Sequence, residues 1–498
     1  MATRAAVGSV VVLLAIAASF LWYAGPQLTA PFGESHDGLN AATWANGSRF
    51  LREVGPIDSA IGGRRADGSY YANHPPLIYP LTALAEEVAG EHPLTTRAPA
   101  WIATLLAIPL LWLVLRRLRL GPLASVIGVA CAATTPMLFV YGGMLDTPVL
   151  AFPVGVLVFL VWLRSWDGDD SSPWLVGLLG LVAALTAWQA VLAVGLASVS
   201  LAWRAHRRRS GFATPAALAI GGATGTVLTA AWAAWVTGSA TGLLDQFRMR
   251  SGGEGGATWA GMVSNQAEWL SHLLGLAIIG VLVCLIVAVR DRGRRQAAAI
   301  GSLAIVFGYA VLLHSGAYVH QYWNYWVILP VAIGTGIGVD VITRALRSRG
   351  TSAQVATVAV VALGLLVVGS SRLADSPDRS MMDQGDVPAR LLLSRPLPAD
   401  QDTMRYVGAI YQPESWMTYL TGRPVSALTD PDELVAMAAR QPDAVVLTVN
   451  SCIAGDMLCV AAAKLPADAA LARASDATGT EYRLFTAGQL APLVAAHR

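Results

Sequence analysis

The sequence predicts a polytopic α-helical membrane protein that carries a small α/β domain at its C-terminal end. Three observations point to that class. Of the 498 residues, 55% are hydrophobic and only 13% are charged, about half the charge of an average soluble domain. Mean hydropathy is +0.53. Apolar runs recur at the roughly 20-residue length that crosses a bilayer, and arginines gather in every second connection between them. These figures exclude a soluble enzyme, a disordered chain and a nucleic-acid binder with a basic face. The formal net charge is +2, and Lys464 is the one lysine.

The apolar runs fall at about 6–24, 98–115, 121–140, 148–164, 213–237, 270–289, 296–313, 323–342 and 352–370. The stretch 174–203 is too long for one span. With Trp188 and Gln189 at a central break it reads as a short helical hairpin, which brings the expectation to about eleven crossings. A secretory signal ending at Leu28-Thr29-Ala30 is the alternative for the first run. That run is longer than a signal core and many spans follow it, so an uncleaved helix is expected.

Orientation follows from the arginines. Arg4; Arg116, Arg117 and Arg119; Arg204 with Arg207, Arg208 and Arg209; Arg290, Arg292, Arg294 and Arg295; and Arg344, Arg347 and Arg349 mark alternate connections. The positive-inside rule places these in the cytoplasm. The N-terminus is then cytoplasmic and everything after about 371 extracytoplasmic, in a multi-pass protein of the cell membrane. The chain divides into a membrane part, 1–370, whose first outer loop spans 25–97, and an outer domain, 371–498.

The tail reads as α/β. Segments 404–411, 443–449 and 481–486 read as strands, and Thr429-Asp-Pro-Asp-Glu433 opens a helix with a cap, an early proline and first-turn acids. Gly422 after Trp416–Thr421 marks a helix stop. Trp416, Tyr411 and Tyr419 read as the core of this domain, with recognition of a glycan acceptor as the alternative. Cys131 and Cys284 fall in spans as apolar packers. Cys452 and Cys459, seven residues apart on the oxidising side, are open to a local disulfide.

Polar residues at the outer ends of the spans are where chemistry is expected. Gly33-Glu-Ser-His-Asp-Gly38 precedes a segment, Leu39 to Val54, whose apolar spacing suits a helix lying on the membrane surface. Asp37 at its start is either an N-cap or a general base just outside the bilayer. Tyr70-Tyr-Ala-Asn-His-Pro-Pro-Leu-Ile-Tyr-Pro80 is forced into an extended turn by its prolines; an aromatic belt explains its tyrosines but not the pair Asn73-His74. Tyr141-Gly-Gly-Met-Leu-Asp-Thr-Pro148 offers Asp146, again a cap or a functional acid, with Gly142 and Gly143 permitting close backbone approach. His314-Ser-Gly-Ala-Tyr-Val-His-Gln-Tyr-Trp-Asn-Tyr-Trp326 places two histidines among belt aromatics, suited to phosphate or a metal. Arg248 and Arg250 run against the topology rule on the outer side, where a lipid phosphate is their natural partner.

With these residues assembled, the chain resembles the polyprenyl-phosphate-sugar-dependent glycosyltransferases of the GT-C fold, and within them the protein O-mannosyltransferase and lipid A aminoarabinose transferase superfamily (family 39-like). The resemblance rests on His36-Asp37-Gly38, the Tyr-x-x-His-Pro-Pro-Leu turn, Arg97 in Thr-Thr-Arg-Ala and the Gly-Gly-x-x-Asp loop, and covers roughly 1–340. It implies a GT-C fold and transfer of a sugar from a polyprenyl-phosphate carrier to an acceptor outside the membrane. The acceptor is a protein, lipid or polysaccharide. It implies Asp37 as the base and Asp146 as the second acid. His36, Asn73, His74, Tyr79, Arg97, Arg248, Arg250, His320 and Tyr322 are the expected substrate-binding residues. Where many members carry Asp-Glu, this chain has His36-Asp37. A divalent metal is an open expectation, with Asp37, His74, Asp146 and His320 as candidate ligands and no fixed spacing that demands one. One base suffices for direct displacement with inversion, unlike hydrolysis by a carboxylate pair.

Two other readings compete. A transporter or lipid flippase would show internal repeats and broken, charged helices at mid-membrane, and no repeat is evident. A scaffold whose tail does the work leaves Asp37, His74, Asp146 and His320 unexplained together.

Overall fold

The structure is a computed structural model that describes residues 2–66, 68–169, 171–208, 211–252, 256–346, 386–410, 413–452 and 456–495. The expected span at 352–370, the domain boundary near 370, Arg209, Arg347, Arg349 and Tyr411 lie outside the described residues. In chain order the first helices are α1 (Ala2–Thr29), α2 (His36–Asp58), α3 (Ile78–Ala89), α4 (Pro93–Thr96), α5 (Ala98–Arg117), α6 (Pro122–Ala133) and α7 (Pro136–Tyr141). Next come α8 (Thr147–Asp167), α9 (Pro173–Thr186), α10 (Trp188–Arg208), α11 (Ala213–Thr237), α12 (Gly242–Ser251) and α13 (Trp259–Leu274). Then follow α14 (Ile278–Arg290), α15 (Arg294–Leu312), α16 (His314–Val319), a 3-10 segment Gln321–Val327 and α17 (Ile328–Ala345).

Among the described residues, seven helical segments are long and apolar enough to cross a membrane. They are Gly8–Thr29, Ala98–Arg117, Thr147–Asp167, Ala213–Thr237, Trp259–Arg290, Arg294–Leu312 and Gln321–Ala345, with Pro122–Ala133 and Pro173–Thr186 shorter. The chain is therefore a multi-pass membrane protein. The run at 121–140 proves to be two helices, because Thr135 leaves the helix to cap α7 with its hydroxyl. The break in 174–203 falls at Ala187, one residue before the expected place. Ala187 is extended, with φ −164° and ψ 156°.

The chain forms two compact units. The first comprises Met1–Leu28, Tyr70–Leu81 and Arg97–Ser376; the second comprises Thr29–Ser69, Thr82–Thr96 and Pro377–Arg498. The second unit thus joins parts of the first loop to the tail.

The first unit is a helix assembly held by small residues. A Cβ on Gly221 would lie 1.9 Å from the Gly177 carbonyl, and one on Gly180 2.6 Å from that of Leu218. These glycines bring the backbones of α9 and α11 into contact, the usual means of packing helices where lipid removes the hydrophobic drive. Gly280 and Gly334 do the same for α14 and α17. At one end of the helices the arginine-bearing connections meet. Arg294 pairs with Asp167 at 2.5 Å, Arg117 with Asp169 at 2.6 Å, and Arg295 and Arg344 with Asp340 at 2.9 and 2.8 Å. Arg204 donates to the Trp166 carbonyl at 2.6 Å. The alternation read from the sequence is therefore physical: these connections share one end.

In the second unit, five strands run in the order β2-β1-β3-β5-β4. They are β1 (Met404–Val407), β2 (Val425–Ala427), β3 (Val445–Val449), β4 (Ala472–Ser475) and β5 (Glu481–Thr486). The first three pair in parallel, with Arg405 facing Ser426 and Val446, while β5 pairs antiparallel with β3 and β4. Helices α18 (Pro413–Thr421), α19 (Pro431–Arg440), α20 (Met457–Ala463) and α21 (Ala487–Ala495) flank them. Asp430 caps α19 through the Asp432 amide, and Gly422 ends α18 at φ +67°, both as expected. Val407, Val446, Leu434, Leu458, Phe485 and Leu490 form the core. Trp416 is wholly buried, in keeping with a structural role. Cys452 and Cys459 form a disulfide.

Helix α2 belongs to this unit because it packs on α18. Asn46 donates to the Ser415 carbonyl at 2.7 Å, Thr43 to the Ser415 hydroxyl at 3.0 Å, and Arg49 lies 4.3 Å over the Tyr419 ring. From Ala41 to Ser48 every residue but Thr43 is buried. The expected surface helix is thus largely enclosed in its first half, up to Ser48, and half-buried or exposed beyond it; the tail supplies a partner that the sequence pattern assigned to lipid.

Candidate functional site

In the first unit, at the end of the helices away from the arginine network, the His-Pro-Pro turn is sewn to the apex of the α9–α10 hairpin. The Leu77 amide donates to the Leu185 carbonyl at 3.1 Å and the Trp188 indole to the Asn73 carbonyl at 2.9 Å. Tyr79, fully buried, donates to the Tyr71 carbonyl at 2.8 Å. Tyr79 therefore holds the turn together, while Asn73 and His74 are half-buried.

His74 and Asp146 meet through a residue that the sequence reading passed over. The Thr147 hydroxyl lies 3.3 Å from His74 Nδ1 and 3.4 Å from Asp146 Oδ1, and that same oxygen accepts from the Thr147 amide at 2.6 Å. Asp146 occupies the N-cap position of α8, so the cap and the site share one carboxylate. Burial first, and the Arg250 charge second, lower the His74 pKa to about 4. His74 is consequently neutral at physiological pH.

Arg248 and Arg250 separate. Arg248 pairs with Asp245 at 3.3 Å, and its side chain is 67% exposed. Arg250 is half-buried and acts on both His74 and the Tyr309 hydroxyl, which the Asp146 charge also reaches. Arg97 stands at the start of α5, 1% exposed, and donates to the Leu28 carbonyl. Gly142 and Gly143 do not make room for a ligand. A Cβ on Gly143 would lie 2.4 Å from Leu28 Cδ2, and one on Gly142 2.9 Å from Phe20, so these glycines admit α1.

His320 sits between the rings of Tyr322 and Trp323, at 5.2 and 5.0 Å, and Tyr322 is buried 6.1 Å from Tyr141. The segment is fastened to α8 by the Trp326 indole, which donates to the Pro148 carbonyl at 2.8 Å. His314 stacks on Trp259 at 4.4 Å, a packing role.

In the second unit, Ser35 and not Asp37 is the N-cap of α2, accepting from the Gly38 amide at 2.9 Å. Asp37 lies in the first turn, 5% exposed, and His36 beside it is half-buried. The loop before them is tight, because a Cβ on Gly38 would fall 2.4 Å from the Gly33 nitrogen.

The same unit holds a buried acid that the sequence reading missed. Glu86 accepts from the Thr96 hydroxyl at 2.6 Å and pairs with Arg52 at 3.2 Å, and the Tyr419 hydroxyl lies 3.3 Å from that of Thr96. Burial raises the Glu86 carboxyl to about 7, against the Thr96 hydrogen bond and the Arg52 charge. Burial also pushes Glu91 upward, but hydrogen bonds from Arg49 and Arg52 outweigh it and leave its pKa lowered. Among the described residues, no three His, Cys, Asp or Glu side chains gather as a metal site.

Residues 73–235 match the family described as dolichyl-phosphate-mannose-protein mannosyltransferase. No curated protein matches the chain. Among solved structures, ArnT from Cupriavidus metallidurans bound to undecaprenyl phosphate superposes with a TM-score of 0.63 at 16% identity, over 96% of this chain and 98% of that one. The Archaeoglobus fulgidus oligosaccharyltransferase AglB, in complex with an inhibitory peptide and a dolichol-phosphate, gives 0.53 at 13% identity, over 88% and 69%. The mycobacterial arabinofuranosyltransferase AftD gives 0.50 at 17%, over 91% and 35%. The fold is the GT-C fold.

Proposed function

We propose that this GT-C chain is a glycosyltransferase that moves a sugar from a polyprenyl-phosphate carrier to an acceptor hydroxyl on the outer face of the cytoplasmic membrane. The observation that carries the reading is the linked set His74–Thr147–Asp146 beside Arg250 at one end of the helices. The arginine-rich end is then cytoplasmic by the positive-inside rule, as is the N-terminus, and the outer domain is extracytoplasmic. The polyprenyl-phosphate donor is carried over from the ligands of ArnT and AglB. The acceptor belongs to the class of proteins, lipids or polysaccharides.

The reaction is a single displacement. The acceptor oxygen bonds to the anomeric carbon, the bond from that carbon to the phosphate oxygen breaks, and the carrier leaves as polyprenyl phosphate. Asp37 takes the acceptor's proton, a task for a positioned carboxylate. Asp146, held by the α8 N-terminus, faces the positive charge that develops on the sugar ring. Arg250 and Arg97 compensate the phosphate as it departs. His74 hydrogen-bonds in neutral form, and His320 with Tyr322 forms an aromatic wall. One attack on one face inverts the anomeric centre.

The test is sugar transfer by the purified full-length protein from polyprenyl-phosphoryl mannose, glucose and arabinose, comparing wild type with Asp37→Asn and Asp146→Asn. Stable variants that have lost transfer are expected. Variants that fold and transfer at the wild-type rate would sink the assignment, and a product with the donor's anomeric configuration would sink the mechanism.

A further inference from the structure

Two buried polar side chains in the first unit have no part in the reaction above. Gln189 is 2% exposed and Tyr309 is 4% exposed. Among the described residues, neither the amide oxygen nor the amide nitrogen of Gln189 finds a hydrogen-bond partner, and neither does the Tyr309 hydroxyl. A buried amide without partners is costly, and native proteins rarely keep one without a use for it.

Their placement is shared. Helices α10 and α15 pack where a Cβ on Gly308 would lie 3.7 Å from Leu192 Cδ2. Tyr309 follows Gly308, and Gln189 lies one turn from Leu192 on the same helix face. Gln189 is therefore on the side of α10 that meets α15. Its neighbour Trp188 is bonded to Asn73, beside His74. The Tyr309 ring packs 5.3 Å from that of Trp323, in the segment fastened to α8, and its hydroxyl is reached by the charges of Asp146 and Arg250. The two groups thus lie on helices that pack together, Gln189 next to the residue bonded to the His74 turn and Tyr309 within reach of the Asp146 charge.

We infer that Gln189 and Tyr309 form a neutral polar cradle that hydrogen-bonds the hydroxyls of the donor's sugar ring and sets which sugar is accepted. This rests on the reading of the chain as a glycosyltransferase. A carboxamide offers two N–H donors and a carbonyl acceptor, and a phenol offers one donor and an acceptor. That alternation complements vicinal hydroxyls, each of which both donates and accepts. Neither group is charged, so the pair suits the ring rather than the phosphate, for which Arg250 and Arg97 are at hand.

The test uses Gln189→Leu and Tyr309→Phe in the full-length protein, with three readouts. Both variants melt at or above the wild-type temperature, because each removes a buried group that has no partner among the described residues. Binding of undecaprenyl phosphate, which bears no sugar, is unchanged. Transfer from the sugar that wild type accepts falls about tenfold in kcat/KM for each variant. Deoxy analogues of that sugar identify the partner hydroxyl, since the analogue lacking it loses rate with wild type but not with the variant.

Full transfer by both stable variants would overturn the inference, as would an equal loss of undecaprenyl phosphate binding. A wild type that transfers no sugar from any of the three carriers would instead sink the function on which the inference rests.

Discussion

Glu86→Gln tests the electrostatics of the second unit. Burial takes the Glu86 carboxyl from 4.5 to about 7, and its side chain is fully enclosed. At pH 8 the group is ionised in folded and unfolded chains alike, so the whole shift counts against the fold. At about 1.4 kcal/mol per pKa unit this amounts to roughly 3 kcal/mol. At pH 5 the folded chain keeps the proton and the unfolded chain has lost most of it, which leaves less than about 1 kcal/mol. A carboxyl raised in the native state binds more protons folded than unfolded, so its contribution to stability falls as pH rises from about 4.5 to about 7. The amide of Gln still accepts from Thr96, and Arg52 keeps Glu91 at 2.5 Å. Thermal unfolding of the full-length protein in detergent at pH 5 and pH 8 reads the difference. Relative to the variant, wild type should lose roughly 2–3 kcal/mol between the two. Melting curves that move in parallel for both proteins would refute the reasoning.

Other consequences follow from the geometry. Arg250→Ala should weaken undecaprenyl phosphate binding by tenfold or more, about the loss of one charge-assisted bond, while Arg248→Ala, exposed and paired with Asp245, should leave it unchanged; equal effects in a binding titration would contradict the separation of the two. Thr147→Val removes the hydroxyl between His74 and Asp146 and should cut kcat/KM about tenfold with little effect on melting temperature. The pH profile of kcat/KM should show no limb near 6.5 from His74, because that ring is already neutral from about pH 5 upward; a limb there that vanishes in His74→Asn would contradict this. Gly334→Ala places a Cβ 1.8 Å from the Gly280 carbonyl and should destabilise the first unit by about 1–3 kcal/mol, read as a lower melting temperature.

Much of the fold was legible because its signals are local. The Asp430 cap, the Gly422 stop and the alternation of arginines with apolar runs each depend on a few neighbouring residues. The hairpin break was expected at Trp188 and Gln189 and lies at Ala187. The chain on either side of it is bonded to Leu77 and Asn73, about a hundred residues away, and alanine carries no mark of that. Ser35 and Asp37 are both preferred cap residues, and residue type alone does not choose between them. Tyr309, Gln189 and Glu86 are ordinary in sequence, and only their burial sets them apart. In the Asp146 loop the glycines receive Leu28 and Phe20, a close approach that their residue type allows but does not specify.

The pairing of α2 with α18 also sets a clock. Asn46 and its acceptor Ser415 are 369 residues apart, and chains are made at about 5–20 residues per second. Asn46 therefore leaves the ribosome about 20–70 s before the carbonyl that will receive its amide exists. Throughout that interval the enclosed face of α2 must be hydrated, chaperoned or covered by lipid. The second unit can close only after nearly the whole membrane part has been inserted, so a ribosome stalled in the tail would leave complete spans beside an unfinished partner for the helix that carries Asp37.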